Sequence, residues 1–133
     1  MTYHLDAATA LTPQGDGVFA YASGGAYLNY DTAFGGWVMA QMDLAAGIRS
    51  GERAKGRVVT AAINALSFKL PVKIGDTLEL YTTVTRVGRT SMTIEVEAWA
   101  QRYLTHNKVK VTEADFVMVA VDETGQPRPV PTE

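Results

Sequence analysis

Cysteine is absent from the 133-residue chain, which excludes disulfides, thiolate metal sites and cysteine nucleophiles together. Histidine is scarce. His4 and His106 are the only two, each in a polar stretch, and neither a His–Asp pair nor a glycine-serine elbow is present, so serine-hydrolase chemistry is disfavoured. The N-terminus lacks the basic, apolar, then small-residue order of a signal peptide, and no apolar run reaches membrane-spanning length. A cytoplasmic protein with no membrane partner is the expectation. Clustered Lys and Arg are missing too, and with a net charge of −2 a nucleic-acid partner is not expected. Gly24-Gly25 is too little for a nucleotide loop. No donor set calls for a metal or a bound cofactor.

What remains is the composition of an ordinary globular protein, 47% hydrophobic and 20% charged, without repeats or low-complexity tracts. The length fits one domain, residues 1–133, able to bury roughly two-thirds of the surface its unfolded form exposes. The stretch from Phe34 to Ile48 reads as a helix that is apolar almost all round and opens on Gly35 and Gly36; such a helix is expected to be buried. Its bounds are predicted at about Gly36 and Ser50, with a polar, glycine-bounded exit over Gly51 to Gly56. Asp43 is the only charge between Phe34 and Ile48. At helical spacing it lies beside Gly36, Ala40 and Gly47, among small side chains where an unpaired carboxylate is costly and its pKa is expected to rise. Something other than stability therefore explains the residue.

Ahead of the helix, residues 1–16 read as a lead-in with room for one strand, and Val18 to Ala22 as a strand closed by Ser23-Gly24-Gly25. Behind it everything reads as sheet. Val58 to Leu70 is apolar on both alternating faces and suits a central strand covered on both sides. Thr77 to Val87 and Ser91 to Gln101 form a hairpin around Gly88-Arg89-Thr90, the second arm alternating apolar and polar residues. Lys108 to Val121 is a last long strand, and the prolines of the following tail end the sheet. One long helix wrapped by a curved antiparallel sheet is an α+β architecture of the hot-dog kind. The doubly apolar strand further implies a dimer-based assembly.

Five segments in order carry a family resemblance: Phe34 to Asp43 (Phe-Gly-Gly-Trp-Val-Met-Ala-Gln-Met-Asp), Gly56 to Thr60, Phe68 to Asp76, Val87 to Ser91 and Phe116 to Asp122. Together they resemble the short bacterial hot-dog acyl-CoA thioesterases of the YciA-like branch, from about Phe34 to Pro131. The resemblance implies hydrolysis of acyl-CoA to free acid and CoA, with coenzyme A entering as part of the substrate. It also implies assembly from dimers, as a tetramer or hexamer.

In that family the helix aspartate activates water or attacks the thioester, and Asp43 holds the matching position; a poorly solvated carboxylate is a competent base at neutral pH. The structural alternative is a core aspartate hydrogen-bonded to backbone or to a threonine. Gly35 and Gly36 bring unpaired amides and the positive end of the helix dipole to the site, which suits an oxyanion hole, although they would equally let the helix press on the sheet. Thr60 is a candidate to orient water or Asp43, across a dimer interface or within one chain, or else a packing residue of a strand. The family's Asn-x-x-Gly before Phe-Gly-Gly is replaced here: Leu28 and Asp31 fall at the Asn and Gly positions, and Asn29, one step off, is the candidate to substitute as the polar partner of the carbonyl or water if the loop shifts. Gly88, Arg89, Thr90 and Ser91 at the hairpin tip are expected to grip phosphates or the pantetheine arm, with Arg57, then Lys55 and Arg128, as further phosphate candidates. The competing function is a hot-dog domain that binds acyl-CoA without hydrolysing it; a dehydratase is a weaker third, since its histidine near the helix start is missing.

Overall fold

The helix expected between Gly36 and Ser50 extends from Gly35 to Ala54 as α1 in the computed structural model, which describes residues 5–6, 17–22, 35–73, 76–102, 105 and 107–132. Gly51 continues α1 instead of ending it. Lys55 supplies the left-handed stop (φ 54°), and the Gly56 amide donates back to the Gly51 carbonyl at 3.2 Å, a Schellman closure built on a lysine. Ser50, fully buried, donates its hydroxyl to the Ala46 carbonyl at 2.7 Å.

The expectation of burial all round is corrected. Trp37, Val38, Gln41, Met42, Ala45, Ala46, Ser50 and Ala54 face the core, whereas Gly36, Ala40, Leu44, Ile48 and Glu52 form an exposed stripe at a four-residue repeat. A helix on one sheet has only one covered face, so the remaining apolar side chains stay uncovered in a single chain.

The sheet comprises β1 (Leu5–Asp6), β2 (Gly17–Ala22), β3 (Val58–Asn64), β4 (Thr77–Val87), β5 (Ser91–Gln101) and β6 (Lys108–Ala120). Among the described residues every pairing is antiparallel, and the spatial order is β1-β2-β4-β5-β6-β3. The hairpin has the predicted bounds and alternates buried and half-buried residues along both arms. Phe116, Met42, Leu78, Leu80, Met92, Ile94 and Met118 fill the space under α1. Register shifts at Val84/Arg86, Ala98/Trp99 and Thr60/Ala62 let the long strands curl around the helix, since a bulge bends its strand. One helix held by a curved antiparallel sheet is the hot-dog arrangement.

The largest departure concerns β3. It is not the central strand expected over Val58 to Leu70 but an edge strand that stops at Asn64, paired among the described residues on one side only, with β6. Ala65 takes φ 61° and breaks the ladder; the chain then resumes beside β6, where the Lys69 amide donates to the Val111 carbonyl at 2.8 Å. Val59, Phe68 and Leu70 are 45%, 44% and 41% exposed. Its doubly apolar pattern is that of a strand awaiting a cover that one chain does not supply.

The outer face of the sheet is held by charge. Lys110 lies 3.3 Å from Glu97 and 2.7 Å from Glu113, two carboxylates directly opposed across β5 and β6, and so relieves their repulsion. Lys108 pairs with Glu79 at 2.8 Å, and the Tyr81 hydroxyl donates to Glu79 at 2.6 Å. Burial, then the bond to Glu79, push the Tyr81 phenol above its ordinary 10.0; Lys108 is raised by its bonds to Glu79 and Tyr81. Both groups hold protons more tightly folded than unfolded. Their contribution is therefore present below the unfolded value and lost as pH rises through the folded one. Stability in denaturant titrations is expected to fall as pH rises past 10.0, and Tyr81→Phe should flatten that fall. Phe116→Ala, at a fully buried position, should cost about 3–5 kcal/mol in the same titration at neutral pH.

Candidate active site

α1 and β3 meet at a shallow groove of roughly 370 Å³ lined by Ala40, Asp43, Leu44, Gly47, Ile48, Val58, Thr60 and Met118. The small residues at 40 and 47 are what open it: no atom lies within 4 Å of a Cβ built on Gly47, and side chains three and four apart stack along one helix flank. Asp43 is half-buried within that stripe. The Thr60 hydroxyl, from the strand that follows the helix, donates to Asp43 Oδ1 at 2.5 Å. Thr60 thus reaches Asp43 within one chain. The bond occupies one carboxylate oxygen and leaves Oδ2 for another donor.

The contrast with the other aspartate near the core is instructive. Asp76 is 3% exposed and is held by Arg102 at 2.5 Å and by the Lys73 amide at 2.8 Å. Asp76 is a paired structural carboxylate. Asp43 faces a groove and a hydroxyl, and among the described residues no salt bridge includes it.

Gly35 and Gly36 form the first turn of α1, whose leading amides have no intrahelical acceptor. Gly36 is exposed, and a Cβ placed on it would meet no atom within 4 Å. From Gly36 to Asp43 the helix rises about 10 Å, although helical side chains lean back toward the N-terminus and shorten that gap. Asn29, Leu28 and Asp31 lie outside the described residues, as do His4 and His106.

The predicted coenzyme residues gather at one end of the sheet. The Gly88 amide donates to the Ser91 carbonyl at 2.7 Å, closing the hairpin tip; the Thr90 carbonyl accepts from the Ala120 amide at 2.9 Å, and the Arg57 carbonyl from the Val121 amide at 3.1 Å. Arg57 and Arg89 are exposed. Val58, next to Arg57, lines the groove, and the strand from Thr60 to Arg57 spans about 10 Å. The groove and the basic corner are therefore neighbours along β3. Ile48, Val58 and Met118 line the groove without having been singled out in the sequence, where they read as plain apolar positions of a helix and two strands. Among the described residues no group of three or more His, Asp or Glu side chains is arranged to hold a metal, and no helix is long and apolar enough to cross a membrane.

The chain is similar to known thioesterases in sequence and in fold. The acyl-CoA thioester hydrolase YciA of Salmonella typhimurium is 39% identical over 126 residues, 92% of this chain and 95% of that protein. A hexameric thioesterase from Yersinia pestis superposes with a TM-score of 0.73 at 39% identity, covering 77% of this chain and 83% of that one. An acyl-CoA hydrolase from Staphylococcus aureus, solved with butyryl coenzyme A and coenzyme A, gives a TM-score of 0.79 at 28% identity over 88% of this chain and 72% of that one. The thioesterase superfamily pattern matches residues 30–104, more than half of the sequence, and the chain belongs to that superfamily.

Proposed function

We propose that the protein hydrolyses acyl-CoA thioesters, with Asp43 as the general base. The observation that carries the reading is the Thr60–Asp43 hydrogen bond inside an apolar groove: one carboxylate oxygen is fixed and the other is left to take a proton from water. Water oxygen attacks the thioester carbonyl carbon and its proton passes to Asp43 Oδ2. The tetrahedral oxyanion is met by the Gly35 and Gly36 amides, where the helix dipole favours negative charge. Collapse breaks the carbon–sulfur bond, and the proton held by Asp43 goes to the leaving thiolate. Coenzyme A is thus substrate and product, not a resident cofactor. YciA and the Staphylococcus hydrolase, named for this reaction, support the substrate class.

The acyl chain lies along α1 beside Leu44, Gly47 and Ile48, in a groove that a second copy closes. Two arguments support a shared site. The exposed apolar stripe of α1 and the uncovered β3 edge need a partner. The rise of about 10 Å between Gly36 and Asp43 is also bridged if two helices run antiparallel and cross near Ala40, so that each Asp43 meets the other copy's first turn. The hexameric state of the Yersinia relative supports a dimer-based assembly of six. The phosphate-bearing end of CoA then leaves along β3 toward Arg57, Arg89, Thr90 and Ser91.

The test is thiol release from a panel of acyl-CoAs. Asp43→Asn is expected to lower kcat by about 10²–10⁴-fold while the chain stays folded by circular dichroism. Thr60→Val, which keeps the shape and removes the donor, should lower kcat by about one order of magnitude, the size of one lost hydrogen bond to a charged group. Retained turnover in Asp43→Asn would remove the mechanism, and binding of acyl-CoA without thiol release by the unmodified protein would make it a sensor. Ile48→Glu, on the uncovered stripe, should shift the assembly to smaller species in sedimentation and reduce turnover with it.

A further inference from the structure

The chain after β6 does not leave the sheet. Asp122 accepts from the amides of Thr124 and Gln126 and from the Thr124 hydroxyl, at 2.9, 3.0 and 2.7 Å, which reverses the backbone through Gly125 at φ 85°. Those bonds, first that from the Thr124 hydroxyl, hold the Asp122 carboxyl below its ordinary range. Pro127 bridges back to Val121; the Arg128 amide donates to the Ala120 carbonyl at 2.9 Å, and Arg128 Nε to the Val121 carbonyl at 3.0 Å. Val130, 9% exposed, donates its amide to the Arg89 carbonyl at 2.8 Å. Arg53, in the last turn of α1, donates to the Pro131 carbonyl at 2.6 Å. Prolines at 127, 129 and 131 hold the segment extended and remove donors that another edge strand could use.

This strap therefore crosses from β6 over the hairpin tip to the end of α1. It bonds directly to the peptide carrying Arg89, and through Ala120 and Val121 to those carrying Thr90 and Arg57. Its anchor fits closely: a Cβ on Gly56 would stand 2.6 Å from Arg128 Nη2, so a larger residue before Arg57 would push the guanidinium tip aside. Nη2 is buried there without a hydrogen-bond partner. Leaving a charged donor unsatisfied is costly, so the contact is not explained by stability alone. The peptides that carry Arg57 and Arg89 lie beside the strap, Arg53 bonds to its Pro131, and Arg53 and Lys55 line a cavity together with Arg49 and the acidic Glu52, a predominantly cationic corner at the far end of β3.

We infer that residues 122–131 form a positioning strap for the phosphate-bearing end of coenzyme A, with Arg128 as the anchor that sets Arg57 and Arg89 for the ligand. The inference rests on the acyl-CoA reading and deepens it: substrate choice at this corner concerns the nucleotide phosphates, not the acyl chain.

The discriminating experiment compares one acyl group carried by CoA and by pantetheine, which lacks the nucleotide, on the full chain. In Arg128→Gln, KM for acyl-CoA should rise by about tenfold, the size of one lost contact to a charged group, with kcat within a factor of about two and KM for acyl-pantetheine unchanged. Arg128→Lys keeps the charge but loses the Nε bond to Val121, and should behave like Arg128→Gln. Unchanged KM for acyl-CoA, an equal rise for both substrates, or full rescue by lysine would each overturn the strap's role. If the unmodified protein releases thiol from neither thioester, the hydrolase reading fails separately. Calorimetric binding of free CoA against free pantetheine then carries the same comparison, with weakening for CoA alone expected in Arg128→Gln and equal or no weakening overturning the inference.

Discussion

A helix with apolar residues on more faces than one sheet can cover sets the terms for everything else in this molecule. α1 buries Trp37, Met42, Ala45 and Ala46 against β4, β5 and β6, and what is left over, from Ala40 through Leu44 to Ile48, runs along the flank next to β3. Burying that remainder is favourable by about 25 cal/mol for each Å² removed from water, so the uncovered flank favours either a second chain or an apolar ligand. The groove lies where both demands coincide. Its small residues keep the two surfaces apart, and larger side chains at 40 and 47 would close it.

The Thr60–Asp43 bond is the polar event inside that apolar surface. It ties the middle of the helix to the edge strand across 17 positions of sequence, and it does so where β3 is bulged between Thr60 and Ala62. A bulge re-aims side chains, and this one follows directly after the threonine that meets the carboxylate. Asp76 shows what a purely structural aspartate looks like in the same fold: deep, paired with arginine and capped by an amide. The two acids differ in partners and surroundings, and that difference, more than either residue's identity, separates a proposed chemical group from a scaffold group.

At the other end of β3 the chain assembles cations whose side chains diverge in sequence by up to 75 positions, from Arg53 to Arg128. Backbone hydrogen bonds hold their peptides together while leaving Arg57 and Arg89 in solvent. The folded-back tail fastens the hairpin tip and the end of α1 at once.

The local pattern alone determined the helix, the hairpin with its tip at Gly88 to Thr90, the long last strand and the isolation of Asp43 within its helix, because periodicity and turn chemistry are written into neighbouring residues. It also pointed to Thr60 and to the basic corner through the resemblance of short motifs. Tertiary structure decided the rest. Val58 to Leu70 had the composition of a central strand, yet its place at the edge follows from which strand β6 pairs with, a contact between distant segments. The helix outlasted its expected end because closure fell to Lys55, whose left-handed conformation no propensity favours. The seating of Arg128 against Gly56 was likewise invisible in one dimension, since it depends on a tail that reverses and packs 72 positions from the residue it meets. Local sequence specifies elements through short-range sterics and hydrophobic period, whereas which surfaces are left uncovered, and which charges converge, is set only once those elements are packed.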